Sequence, residues 1–319
     1  RLLRVPDSGY VPYYLDCHNA MQYTHFFNNM ARRWQIKTEA NDPTAFEDIV
    51  TEIKERHGDQ DIIFLFDEVD RLLTMDMEQE HSELLFRTFR ALSNEGRAHF
   101  IFSGERWLAR AMENSYSALF NFALPVRLQP LEKPVVARLV SEPFEMMNIW
   151  LEDGPTMINR IYEISAGHPN IVQMICQEMI VALAADKGGN VGLLNSNHLE
   201  RALDQHSLQE DIVHTIWGQM SELARLITLL WPEEERDLSL EQIALKVRGV
   251  GLVSMQIRDL QEAMKDLELY CFVTPKGRQY ELVPVAFPAL LDYMTAKNME
   301  IGATVEAIQA KQKKELFSR

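Results

Sequence analysis

Residues 62–66 read Ile-Ile-Phe-Leu-Phe without a polar break, and Asp67 and Glu68 follow at once. An apolar run this short, bounded by acids, is a strand. Without polar alternation it predicts a central strand of a parallel sheet, covered by helices on both faces. Residues 99–102 repeat the pattern, and the stretch 10–18 supplies a third apolar run. Amphipathic segments at 23–34, 44–58 and 81–96 lie between them. Such alternation predicts an α/β fold with a mostly parallel sheet over residues 1–130.

The punctuation supports these boundaries. Asp42 can cap a helix with Pro43 at its first position, and Gly58 and Gly96 fall where a left-handed residue ends a helix. Residues 122–131 predict an outer strand, because Pro125 cannot donate to a ladder. Beyond residue 131 the strand signal stops. Segments 133–147, 156–167, 169–189 and 197–207 predict an all-helical module over 131–207. From 208 to 294 the order is helix, helix, helix and a hairpin turning at Pro275, Lys276 and Gly277, which is the order of a winged helix. Residues 295–319 read as a Lys-rich helical connector.

At 319 residues the chain is long enough for two or three cores. It carries 47 acidic against 32 basic side chains, a net charge of −15, which argues against a surface dedicated to nucleic acid but leaves room for a local basic patch. Cys17, Cys176 and Cys271 are far apart and lack CxxC spacing, so neither a metal site nor a disulfide framework is indicated, and a reducing, cytoplasmic setting is expected. No run approaches the roughly 18 apolar residues of a membrane span. The first residue is Arg1 and not methionine, so a fragment of a longer chain is expected.

The acids after residue 66 carry the chemistry. A strand ending in Asp and Glu sends the two carboxylates to opposite sides of the pleat at the carboxyl edge, where open α/β sheets bind ligands. Asp67 could hold Mg²⁺, usually through water, while Glu68 orients a water for attack on a γ-phosphate. The plainer alternative makes Asp67 a helix cap and Glu68 a solvated turn residue.

The ordered set "IIFLFDEVD", "AHFIFSGE", "VRLQPLEKPVVARLVSEPF" and "ISAGHPNIVQMICQEM", followed by a winged helix, resembles the AAA+-related STAND P-loop ATPases, in particular the archaeal-ATPase and Orc/Cdc6-like branch. The resemblance covers residues 1–292. It implies a P-loop NTPase-like parallel core, a helical lid and a winged helix, with ATP or ADP bound between core and lid. Asp67 would be the Mg²⁺ ligand of a Walker B strand and Glu68 the catalytic base. Ser103 would lie near the γ-phosphate in a sensor 1 strand, with Arg106 as a phosphate-sensing cation or else an exposed helix-start arginine. Gly167, His168 and Pro169 resemble the GxP motif of the lid, in which the proline contacts adenine; His168 reads as a packing or capping residue.

One departure is large. No GxxxxGK[ST] occurs in the chain, so the backbone cradle and lysine that hold the phosphates are missing. The reading that follows is truncation after that loop, with the first strand of the core absent and Arg1–Arg4 resembling the last turn of its helix. The expected function of the intact protein is a slow, Mg²⁺-dependent ATPase switch of the STAND kind, joined to an effector or sensor domain and able to homo-oligomerise. The alternatives are an Orc/Cdc6-like or regulatory DNA-binding ATPase, and a non-catalytic protein-interaction scaffold. Against DNA binding, the segment 254–269 sets Arg258 and Lys265 against Asp259, Glu262, Asp266 and Glu268. The cations that could reverse that balance are Lys246, Arg248, Lys276 and Arg278.

Overall fold

The computed structural model describes residues 9–37, 42–78, 83–186, 192–212, 217–232, 235–283 and 298–317. The chain forms two compact units, Arg1–Arg127 and Leu128–Arg319. Arg1–Arg4 and the end of the winged-helix segment, 284–294, lie outside the described residues.

The first unit runs β1 (Tyr10–Asp16), α1 (Tyr23–Trp34), α2 (Ala45–His57), β2 (Asp61–Asp67), α3 (Val69–Glu78), α4 (Leu84–Asn94), β3 (His99–Phe102) and α5 (Arg106–Glu113). The three strands form one parallel sheet in the order β1-β2-β3, with Asp16 opposite Asp67 and Phe66 opposite Phe102. Asp42 does cap the turn into α2, its Oδ1 accepting from the Thr44 amide and hydroxyl, although the helix proper begins at Ala45. Gly58 and Gly96 both take left-handed φ values, 62° and 68°, at the ends of α2 and α4.

Covering on both faces is where the sheet differs from expectation. Ile62, Phe64 and Phe66 point to one face and are buried to 1% exposure or less. The Phe64 and Phe66 rings join a phenylalanine cluster with Phe26 of α1, Phe46 of α2 and Phe89 of α4 at centroid separations of 4.7–6.2 Å. The opposite face carries Ile63 and Leu65, which are half-buried, and Ile101, which is 46% exposed. Continuous apolarity therefore reports the composition of both faces, while the described helices α1, α2 and α4 all pack on one.

The predicted outer strand at 122–131 is a correction. This segment forms no ladder among the described residues, and Leu124, Val126 and Leu128 are 88%, 81% and 90% exposed. Pro125 and Pro130 remove two donors, and no described strand lies beside the run to pair with it.

The second unit begins with α6 (Lys133–Met146), α7 (Gly154–Ser165), α8 (Pro169–Ala185), α9 (Ser196–Leu203) and α10 (His206–Ile212). It is not purely helical: β4 (Trp150–Leu151) and β5 (Leu193–Leu194) make a two-residue parallel bridge. Then come α11 (Glu222–Leu230), β6 (Asp237–Ser239), α12 (Leu240–Gly249), α13 (Ile257–Leu269), β7 (Val273–Lys276), β8 (Gln279–Leu282) and α14 (Asn298–Phe317). The antiparallel order β6-β8-β7 with α11, α12 and α13 is a winged-helix arrangement. Sequence signals start two helices sharply. Asn195 and His198 form a capping box on α9, and Ser239 and Gln242 form one on α12. One apolar core runs through Val136, Ile161 and Ile175 to Leu260, Met264 and Phe272, and takes in Val305 and Ile308 of α14.

Candidate functional site

The acids end β2 on the half-covered face. Asp67 is the last residue of the strand, and alternation places its side chain with those of Ile63 and Leu65. Tyr14 of β1 and Ser103, just past β3, reach it from the two neighbouring strands. The Tyr14 hydroxyl donates to Asp67 Oδ2 at 2.9 Å, and the Ser103 hydroxyl donates to Asp67 Oδ1. The Ser103 backbone is held as well: its N–H donates to the Phe66 carbonyl at 2.9 Å and its carbonyl accepts from Val69 at 3.0 Å. The Ser103 hydrogen bond, helped by Tyr14 and the Glu68 backbone and opposed by partial burial, holds the Asp67 carboxyl below the ordinary aspartate range.

Glu68 sits in the turn between β2 and α3 with φ 54°, a left-handed conformation that disfavours a residue with a Cβ. Backbone strain of this kind gathers at functional sites. Partial burial, then the carboxylates of Glu105, Asp67 and Asp70, raise its pKa, and His18 opposes them. The two acids are thus pushed in opposite directions, Asp67 toward the ionised form and Glu68 toward accepting a proton. That is the division expected of a metal-binding carboxylate beside a general base.

Asp70, in the first turn of α3, joins this edge to α5. Its carboxylate accepts from the backbone N–H groups of Glu105 and Trp107, each at 2.6 Å, and of Leu108 at 3.3 Å, so it caps α5 from a neighbouring helix. A Cβ on Gly104 would run into that carboxylate and into Leu108. Gly104 is therefore required by close approach, its φ being unremarkable. Arg106 opens α5, and its guanidinium lies 5.6 Å from the centre of the Trp107 ring, with Arg110 at 5.7 Å.

Gly167, His168 and Pro169 lie in the second unit, at the corner between α7 and α8. Gly167 is buried at φ 80°, its carbonyl accepts from Leu131 at 2.8 Å, and a Cβ there would collide with the Leu131 carbonyl. Pro169 opens α8 at its first position. His168 makes no side-chain cap bond; its Nδ1 is buried with no hydrogen-bond partner among the described residues, and burial lowers its pKa. Packing is what the structure gives it.

The structure thus gathers Asp67, Glu68 and Ser103 at one sheet edge. It adds Tyr14 and Asp70, which the sequence reading did not assign. Among the described residues no three His, Cys, Asp or Glu side chains form a metal-binding group. A magnesium ion asks less of a protein, keeping several waters and taking one or two carboxylates with substrate phosphates. The ionised Asp67 fits that role, since the Tyr14 and Ser103 hydroxyls each use one lone pair of its oxygens and leave others open. No described helix is long and apolar enough to cross a membrane.

No protein-family profile matches the chain, and no curated protein matches it by sequence. Solved structures do. A Walker-type ATPase of Pyrococcus abyssi aligns with a TM-score of 0.60 at 14% identity, over 88% of this chain and 83% of that one. The ORC2 protein of Aeropyrum pernix, solved in ADPNP–ADP complexes, aligns with a TM-score of 0.58 at 13% identity, over 94% and 79% of the two chains. At such identities the likeness is one of fold alone: the chain shares the overall architecture of these two archaeal proteins.

Proposed function

We propose that the chain is the greater part of an ATP-binding and ATP-hydrolysing module of Orc/Cdc6-like architecture. The observation that carries this reading is the opposed pair at the end of β2, an ionised Asp67 held by Ser103 and Tyr14 beside a strained Glu68 of raised pKa. Asp67 would hold Mg²⁺, which supplies charge neutralisation on the phosphates. Glu68 would draw a proton from the attacking water, and Ser103 would fix the Asp67 carboxylate and face the γ-phosphate. Asp70 keeps the segment 103–106 in place for this work, and Arg106 remains the candidate phosphate-sensing cation. Gly167, His168 and Pro169 would form the adenine-side corner, with Pro169 as the contact. We assign residues 1–130, 131–207, 208–294 and 295–319 to core, lid, winged helix and connector.

A phosphate loop would complete the site, and the sheet offers a place for what precedes it. Ile63, Leu65 and Ile101 form a half-covered apolar face, and among the described residues no strand borders β3 on its outer side. An upstream strand and helix would cover both. That strand would also give the exposed run through Leu124 and Val126 a pairing partner.

Fold similarity favours the Orc/Cdc6-like alternative over a STAND signalling switch with an effector or sensor domain, or a non-catalytic scaffold. DNA contact through the winged helix has less support. Lys276 is paired with Asp237 at 3.3 Å and Glu281 at 3.7 Å, and Lys246 lies 3.8 Å from Glu235, so two of the four candidate cations are already neutralised. The reading is tested by calorimetric titration of ATP and Mg²⁺ into the protein at its full encoded length. Glu68→Gln should keep nucleotide and lose turnover; turnover equal to the parent would remove Glu68 as the base, and no nucleotide binding would remove the ATPase reading.

A further inference from the structure

Helix α4 presents Arg87, Arg90, Ala91 and Asn94 along one side at helical spacing, and the segment Tyr116–Ala118 faces them across a cavity of about 370 Å³. None of these residues belongs to the acidic sheet edge. Arg90 is fixed, its Nη1 donating to the carbonyls of Ala118 at 3.1 Å and Phe120 at 3.0 Å. Those acceptors are neutral, so the guanidinium keeps its full charge and its remaining N–H donors. Arg87, one turn away, makes no side-chain hydrogen bond or ion pair among the described residues. The acid one turn before it, Glu83, is buried and accepts from the Ala118 amide. Among the described residues no carboxylate lines the cavity. In a chain of net charge −15, a concave site lined by two guanidinium groups, with the one nearby carboxylate, Glu83, engaged by the Ala118 amide, stands out. At its mouth the Tyr116 ring is 89% exposed, and Asn94 adds an amide.

We propose that this cavity binds a phosphate monoester carried on a planar ring, of the nucleoside monophosphate class. Arg87 and Arg90 supply forked N–H donors matched to phosphate oxygens, which a lysine pair could not offer in the same plane. Tyr116 offers a flat face for the ring. The volume lies at the small end of the range of small-molecule sites and suits a ligand of one ring, one sugar and one phosphate. The assignment stands apart from the ATPase reading, because it uses neither Asp67 nor Glu68.

The test is calorimetric titration of the full chain with inorganic phosphate, adenosine monophosphate and adenosine. Phosphate should bind saturably and the monophosphate at least about fivefold more tightly, since one stacked base contributes at least that much. Adenosine should not bind measurably. Arg87→Glu, a change on an exposed helix face whose folding is checked by circular dichroism, should weaken both anions by more than about tenfold. Tyr116→Ala should remove the advantage of the monophosphate and leave phosphate unchanged. Absence of saturable anion binding, or binding unaltered by Arg87→Glu in a folded variant, overturns the site. Equal affinity for phosphate and monophosphate in the parent protein overturns the ring.

Discussion

Replacing Asp70 should loosen the start of α5. Its carboxylate accepts two N–H groups at 2.6 Å and a third at 3.3 Å, so two good bonds and one marginal one are at stake. A bond to a charged group contributes about 1.5–3 kcal/mol, and loss of an Asp cap costs about 0.5–2 kcal/mol. Water can reach the Glu105 and Trp107 amides once the carboxylate is gone, so the upper cap value applies, and Asp70→Ala should cost about 2 kcal/mol. Asp70→Asn keeps an acceptor but loses the charge, and should cost about 1 kcal/mol. Native-state hydrogen exchange at Glu105, Trp107 and Leu108 reads this directly, 2 kcal/mol corresponding to about thirtyfold in protection. Gly104 supplies a control of sign. Its Ala variant displaces the same carboxylate, so Gly104→Ala and Asp70→Ala together should cost about 1 kcal/mol less than their sum. Protection changed less than about threefold at all three amides, or strict additivity with Gly104→Ala, would refute the capping argument.

Two further outcomes follow from the geometry. Gly167→Ala forces a Cβ onto the Leu131 backbone at a left-handed φ and should destabilise the second unit by about 3 kcal/mol, a loss under about 1 kcal/mol in thermal melting being the contrary result. Asp67 has a depressed folded-state pKa, so its contribution is present above its unfolded pKa and is lost as pH falls through the folded value. Ser103→Ala removes the largest cause, so the Asp67 titration should move up toward the ordinary range and the acid-side loss should become smaller and be complete at higher pH; an unmoved carboxyl resonance on NMR titration would contradict it.

How far the sequence could be read depends on the range of each interaction. Short-range signals were legible: the apolar run 62–66, the glycines at 58 and 96, and the Asp42 cap depend on neighbours a few residues away. The placing of Asp67 and Glu68 at the carboxyl end of a strand was legible because the apolar run stops there. Tyr14 and Asp70 were not, since their partners are 53 and 35–38 residues distant and only strand register and helix packing bring them together. For Asp70 the available signal was the three-residue spacing from Asp67, together with a glycine in Ser103-Gly104-Glu105 that leaves room for a carboxylate. The run 122–131 was read as a strand from composition, but a strand is made by its partner, and none is described beside it.

Helix α3 also carries a second acid, six residues beyond Asp70. Asp76 is fully buried, takes the Tyr23 hydroxyl on Oδ1, and accepts from the Leu85 and Phe86 amides at 3.1 Å, securing the start of α4 as Asp70 secures that of α5. Two helices separated by β3 therefore have their first turns fastened to one short rod. Opening either end of α3 exposes orphan amides on a different helix, so α3, α4 and α5 should open to solvent together, as a single exchange unit with one common rate.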